Sequence, residues 1–294
     1  MSRFGQLMKR FQFREVEDAL GSGNFGTVYR AFDTHMKKLV ALKILGKGKK
    51  MEANYKHEHK ILQQLVHPFI IHLYCVLDMP THMVMVLELA WGGGLSCELR
   101  ERLAKLKAFR SQKRDSEELD EIYIDFERIS KYFVQMLSAV TYVHSQGFIH
   151  RDIKPQNMMF IDRSKRFLKL GDFGTCCRQS DTKATKVLVG TPAYMAPDGF
   201  NGYVTQSFDC WSLGIVLYEM IELKVPFEQI DHVFYWRDHS LDISFKQNRS
   251  NIPTDLKNLL PKMICESENR MDLTHIYQLP FLQPHIQRLY LTTV

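Results

Sequence analysis

His150-Arg151-Asp152-Ile153-Lys154-Pro155-Gln156-Asn157 is followed by Asp172-Phe173-Gly174. An aspartate at 152 can accept a proton from a substrate hydroxyl. Asn157, five residues on, offers a neutral oxygen to a hard cation such as Mg²⁺, and Asp172 offers a charged one. Together these groups describe phosphoryl transfer, in which positioning and charge neutralisation carry most of the catalysis. An isolated Asp-Phe-Gly turns up by chance in unrelated chains. The five specified positions upstream of it do not.

Two further motifs lie where that chemistry needs them. Gly21-Ser22-Gly23-Asn24-Phe25-Gly26-Thr27-Val28 contains G-x-G-x-x-G. The glycines let backbone N–H groups approach phosphate oxygens without obstruction by a β-carbon. A dinucleotide-binding turn is the rival reading. That turn opens a helix, whereas Thr27-Val28-Tyr29-Arg30-Ala31 is strand-like. Val40-Ala41-Leu42-Lys43 then reads as an apolar strand ending in one lysine, a candidate for the α/β-phosphates. As a set, the four motifs resemble the eukaryotic protein kinases of serine/threonine type, and the resemblance covers residues 13–286.

The resemblance implies an α+β, bilobal protein kinase fold. A small antiparallel β-sheet lobe with one helix spans 13–90 and a larger, mainly helical lobe spans 91–286. Residues 1–12 and 287–294 are short terminal extensions. It implies ATP and Mg²⁺ as cofactors, Asp152 as catalytic base, Lys154 as a support for the transferring phosphoryl group, and Asn157 and Asp172 as metal ligands. Glu58, nine residues before His67-Pro68, is the partner for Lys43, with Glu52 as runner-up. Val28, Ala41, the backbone of Glu88 and Ala90, and Met159 surround the adenine, and Leu87 is the gatekeeper. Lys154 marks serine/threonine rather than tyrosine specificity.

Three departures stand out. Gly94 occupies a position where many relatives place an acidic or polar residue against the ribose, so Glu98 or Ser96 substitutes or the contact is absent. Asp198 replaces the glutamate of Ala-Pro-Glu, which shortens its reach to Arg270. Val187 stands where relatives carry the phosphorylated residue of the activation segment 172–198. An activating kinase or autophosphorylation would then act at Thr185 or Thr182, unless the switch is absent, and Arg151 would answer the phosphate. Thr191 reads as a structural contact to Asp152 and Lys154. Asp209 reads as a buried acceptor for the catalytic-loop backbone. Val189-Gly190-Thr191-Pro192 and the charged stretch 98–121 most resemble the NIMA-related kinases, with calcium/calmodulin-type kinases next.

Periodicity supplies the scaffold. Phe11 to Val16 alternates as a strand should, 52–65 has helical spacing, and Met83 to Ala90 is a strand leading into the glycine-rich hinge. Phe126, Ile129, Phe133, Met136, Leu137, Val140 and Val143 mark a long amphipathic helix over 125–146, ended by Gly147. Residues 211–222 form an apolar helix, and Pro253, Pro261 and Pro280 separate short helices beyond it.

Composition excludes little else. The chain has 294 residues, with 45% hydrophobic and 24% charged, ordinary for a globular protein. There is no apolar run long enough for membrane insertion, no signal-peptide core over 1–6 and no glycine at position 2. The six cysteines fit neither a zinc pattern nor a disulfide framework, which points to reduced thiols and a cytoplasmic or nuclear protein. Cys176-Cys177 reads as a pair of small buried residues rather than a redox site. A net charge of +6, with the basic residues spread out, gives no nucleic-acid surface. His57, His59 and His72 read as surface or packing residues, and Trp236 carries no chemistry. The expected partners are protein substrates bearing serine or threonine. A pseudokinase scaffold would require loss of Lys43, Asp152, Asn157 or Asp172, and all four are present. A small-molecule phosphotransferase would not need the docking turn at Gly190-Thr191-Pro192.

Overall fold

The computed structural model describes residues 7–23, 26–111, 119–181, 186–202, 204–227 and 252–293. Asn24, Phe25, Thr182, Thr185 and Trp236 lie outside the described residues.

The small lobe is one antiparallel sheet. It comprises β1 (Phe11–Gln12), β2 (Ala19–Gly23), β3 (Gly26–Asp33), β4 (Lys38–Gly46), β5 (Leu73–Asp78) and β6 (His82–Glu88). The order is β1-β3-β4-β6-β5, with β2 also paired to β3. β4 is central and covered on both faces, so it reads as a continuous apolar run rather than an alternation. The run extends to Gly46, which places Lys43 inside the strand, not at its end. The expected strand over Phe11 to Val16 stops at Gln12. Asp18 closes a turn there, accepting from the Arg14 N–H at 2.9 Å. Leu7, Phe11 and Phe13 are buried against Tyr29, Leu42 and Val84. Residues 7–12 therefore pack as part of the small lobe rather than as an extension.

Helix α1 (Lys49–Leu62) lies beside the sheet, burying Tyr55, Ile61 and Leu62. After the hinge come β7 (Gly93–Gly94), α2 (Leu95–Ser111) and α3 (Leu119–Ile122). The core helix α4 (Phe126–Ser145) follows. The Asp125 carboxylate caps α4, accepting from the Arg128 N–H at 2.8 Å. All seven of its marked apolar residues lie in or against the large-lobe core. Strands β8 (Phe148–Ile149), β9 (Met158–Phe160), β10 (Leu168–Leu170) and β11 (Cys177–Arg178) carry the catalytic loops.

α5 (Gln206–Glu222) starts five residues before the apolar run does and is buried almost all round, as its unbroken apolar composition requires. It ends at Leu223, which has a left-handed φ of 58°, before Pro226 is reached. α6 (Thr254–Met263), α7 (Leu273–Tyr277) and α8 (Gln283–Thr293) complete the lobe. Pro261 does not separate helices; it sits inside α6. There Leu256, Leu259, Leu260 and Met263 are buried, and packing of that face outweighs one lost hydrogen bond. No helix among the described residues is long and apolar enough to cross a membrane.

Candidate active site

Lys43 faces the cleft from β4, paired across the sheet with Val28 and Met85. Its Nζ donates to both Glu58 carboxylate oxygens, at 2.6 and 2.7 Å. Glu58 comes from the buried face of α1, so the ion pair ties helix to sheet. Burial pushes the Glu58 carboxyl upward and Asp172 adds to the push. Lys43 opposes both, and the net direction is up. At the phosphate end, Gly26 has φ 101°, and a β-carbon there would collide with the Ile44 carbonyl. Only glycine fits that turn.

The catalytic loop is held from below. Asp209, fully buried at the start of α5, accepts from the His150 and Arg151 N–H groups, both at 2.8 Å, and contacts His144 Nε2 at 2.8 Å. Burial drives this carboxyl upward, yet its hydrogen bonds and the neighbouring imidazoles outweigh that and leave it below the usual range. Arg151 takes a left-handed φ of 69° and Asp172 one of 56°. Such conformations persist in non-glycine residues only where surroundings over-determine them. His150 is buried and its pKa is pushed down by loss of water. The Asp152 N–H points at Nδ1 (3.3 Å), so Nε2 carries the proton and donates to the Gly171 carbonyl (3.2 Å). That bond couples the catalytic loop to the residue before Asp172.

Asp152 is the centre of a closed polar network. One oxygen accepts from the Thr191 hydroxyl at 2.8 Å; the other accepts from Lys154 Nζ at 2.6 Å and Asn157 Nδ2 at 3.2 Å. Lys154 also donates to the Thr191 hydroxyl at 2.7 Å. Thr191 is thus the structural contact expected of it. Gly190 allows the approach: its φ is 126°, and a β-carbon would lie 2.6 Å from the Arg151 carbonyl. Asn157 turns its side-chain amide nitrogen to Asp152 and accepts at its backbone carbonyl from the Gly171 N–H, 2.9 Å away. Its Oδ1 and the Asp172 carboxylate are hard oxygen donors on adjoining loops. They suit a small divalent cation that draws its other ligands from phosphate and water.

At the hinge, Ala41 is opposite Leu87, and Met159 lies in β9 opposite Gly94. The Glu88 side chain is engaged away from the hinge backbone. Its carboxylate accepts from Lys169 Nζ at 2.7 Å and from the His72 N–H at 3.2 Å, joining the two lobes behind the cleft. Glu98 is no ribose ligand: it is buried and bound to Arg102 (3.0 Å), with Lys165 at 3.7 Å. His57 is exposed, as expected of a surface residue, and its Nε2 also meets the Cys176 carbonyl at 2.5 Å, joining α1 to the activation segment. The Glu98–Arg102 pair follows helical i,i+4 spacing, whereas no spacing rule signals the Glu98–Lys165 and His57–Cys176 contacts, which depend on how separate elements pack. Burial raises both the Cys176 and Cys177 thiols, in keeping with packing rather than redox use. The Arg151 guanidinium donates to the carbonyls of Thr175 (2.6 Å) and Val187 (3.3 Å), bracing the start and the middle of the activation segment. The shorter Asp198 still reaches Arg270, at 2.8 Å.

The protein kinase domain model matches residues 14–282. The chain belongs to the protein kinase family. Among its relatives, smooth muscle myosin light chain kinase of Gallus gallus is 31% identical over 91% of this chain. CBL-interacting serine/threonine-protein kinase 21 of Arabidopsis thaliana is 31% identical over 84%. The Aurora kinase of Schizosaccharomyces pombe is 32% identical over 91%. The chain spans 13%, 53% and 71% of their respective lengths. These three kinases carry the names of different subfamilies, and none is NIMA-related.

Proposed function

We propose that this kinase chain transfers the γ-phosphoryl group of ATP to serine or threonine hydroxyls of protein substrates, using Mg²⁺. The observation that carries the reading is the Asp152 carboxylate, held by Thr191 and Lys154 beside Asn157 and Asp172. Asp152 would accept the substrate hydroxyl proton. Lys154, within reach of the same oxygen, would steady negative charge on the moving phosphoryl group. Lys43, fixed by Glu58, would hold the α/β-phosphates, and the turn at Gly26 would cover them. Asn157 and Asp172 would hold the Mg²⁺, which supplies charge neutralisation on the phosphate oxygens. Lys154 and the likeness to a named serine/threonine-protein kinase support the residue class. Phosphorylation of Thr185 or Thr182, by this chain or another kinase, is the proposed switch, and a cytoplasmic or nuclear setting the proposed location.

The test is transfer from γ-labelled ATP to generic protein substrates with Mg²⁺, wild type beside Asp152→Asn, with the modified residues mapped by mass spectrometry. Transfer to serine or threonine that vanishes in the variant supports the reading. Equal transfer by both proteins removes Asp152 from its role. Transfer to tyrosine alone would overturn the residue class.

A further inference from the structure

The face that α2 turns to solvent carries more positive charge than the fold neutralises. Leu95, Glu98, Leu99 and Leu106 are buried on one side of the helix. Arg100, Lys105, Lys107 and Arg110 are exposed on the other, against a single exposed carboxylate, Glu101. Several surface cations elsewhere face carboxylates: Lys131 and Arg288 both reach Glu127, at 3.1 and 2.9 Å, and Lys47 reaches Asp78 at 2.6 Å. Lys105, Lys107 and Arg110 have no hydrogen-bond or ion-pair partner among the described residues. Arg100 donates within its own helix, to the Ser96 carbonyl and to Cys97 Sγ, at 3.3 Å each.

Helix stability accounts for only part of this. Arg110, in the last turn, meets the negative end of the helix dipole. Arg100 lies near the positive end and Lys105 in the middle, where the dipole gives no such gain. The loop between β9 and β10 adds the same sign. Lys165 fastens it to the start of α2 through Glu98 (3.7 Å) and Glu101 (4.0 Å), and Arg163 and Arg166 beside it are exposed. This surface calls for an anionic ligand. A membrane is disfavoured, because no large apolar residue is exposed on α2 to enter lipid. A nucleic acid is disfavoured, because no aromatic ring is exposed there for bases to stack on. An acidic protein segment needs only the cations. From Arg100 to Arg110 the face runs about 15 Å, the span of about five residues of extended peptide.

We propose that the outer face of α2, with Arg163 and Arg166, docks an acidic segment of the protein substrate, separate from the residues around the phosphorylated hydroxyl. α2 leaves the hinge at Leu95, so a docked segment is tethered beside the cleft and raises the local concentration of the hydroxyl. The inference rests on the protein-substrate reading above. Docking of this kind lowers KM and leaves kcat alone, since it makes no contact that strengthens in the transition state.

The experiment first reads binding of a fluorescein-labelled hexaglutamate peptide to the full chain by anisotropy, without nucleotide. Wild type should bind it, more weakly as salt rises. The triple variant Lys105→Gln, Lys107→Gln, Arg110→Gln should bind at least about threefold more weakly. The control Lys60→Gln, Lys257→Gln, Lys262→Gln removes the same charge from exposed lysines elsewhere and should bind as wild type does. Kinetics then compare a generic serine peptide with and without a hexaglutamate tail on a Gly/Ser linker. Wild type should show a KM at least about threefold lower for the tailed peptide at equal kcat. The α2 variant should treat the two peptides alike and keep wild-type kinetics on the untailed one. No binding by wild type, equal loss in both triple variants, or tighter binding of a single-stranded uridine oligonucleotide through the same residues overturns the inference. So does binding that appears only after Asp115→Asn, Glu117→Gln and Glu118→Gln, which gives the face to the chain's own acidic run. No transfer to either peptide overturns the phosphotransfer reading, while the anisotropy still decides the docking face.

Discussion

At the scale of single residues the site depends on a few atoms with no substitutes. Replacing Asp152 by Asn keeps the shape but removes the proton acceptor. Transfer should fall at least about 10²–10⁴-fold while Mg²⁺-ADP binding stays within about twofold, as read by steady-state kinetics beside calorimetry. Lys43→Met removes the cation and strands Glu58, buried at 3% exposure, without its partner. Its kcat/KM should drop by about 10²-fold or more, and wild-type kinetics would refute the assignment. The spacing of Asp152, Lys154, Asn157 and Asp172 was legible in the sequence because each lies on a short loop whose length sets its reach. The second roles of Glu88, Glu98 and His57 were not. Their partners, Lys169, Lys165 and the Cys176 carbonyl, come from distant parts of the chain.

At the scale of elements, two buried anchors decide whether loops keep their shape. Asp209 ties the catalytic loop to α5. Asp209→Ala leaves the His150 and Arg151 N–H groups buried without an acceptor, at about 1–3 kcal/mol each. Unfolding by denaturant should register a loss of about 3 kcal/mol or more. Arg270, whose side chain is fully buried against Trp211, holds Asp198 and the Ser207 and Cys265 carbonyls. Arg270→Ala should cost about 2–4 kcal/mol, because the partly buried Asp198 carboxylate loses its cation and two carbonyls lose their donor. Loss of under 1 kcal/mol would show that the pair contributes little. Glu88 and Lys169 span the lobes. In a double-mutant cycle of Glu88→Gln and Lys169→Met, ADP affinity should show a coupling of about 0.5–3 kcal/mol, and strict additivity would dismiss the bridge.

For the molecule as a whole, acid sensitivity follows from its buried imidazoles. His67 is pushed down from 6.5 to about 4, chiefly by burial and also by Lys169. It stacks on Tyr142 and meets Ser138 on α4, so it joins the small-lobe loop to the large lobe. His150 shifts the same way. In the unfolded chain these rings take up a proton near pH 6.5, whereas in the folded chain they resist it. The unfolded state thus binds more protons between about pH 6.5 and 4, and stability falls as pH drops through that window. Melting temperature should be level above pH 6.5 and decline below it. The decline should be shallower in His67→Gln; identical slopes would exclude His67 as a contributor.

The sequence by itself determined the bilobal architecture, the glycine-rich turn between β2 and β3, the polar residues that gather around Asp152, and the long helix α4. Each of these is written in local spacing, whether of glycines, of apolar residues at helical intervals or of polar groups within one loop. Tertiary structure alone decided which charges are used twice, that residues 7–12 belong to the small lobe, that Asp198 still reaches Arg270, and that Ser96 rather than Glu98 borders the space beside Gly94. Those outcomes depend on distances between elements far apart in the chain. Such distances follow from how the buried faces of α1, α4 and α5 pack against their neighbours, not from the order of residues along any one of them.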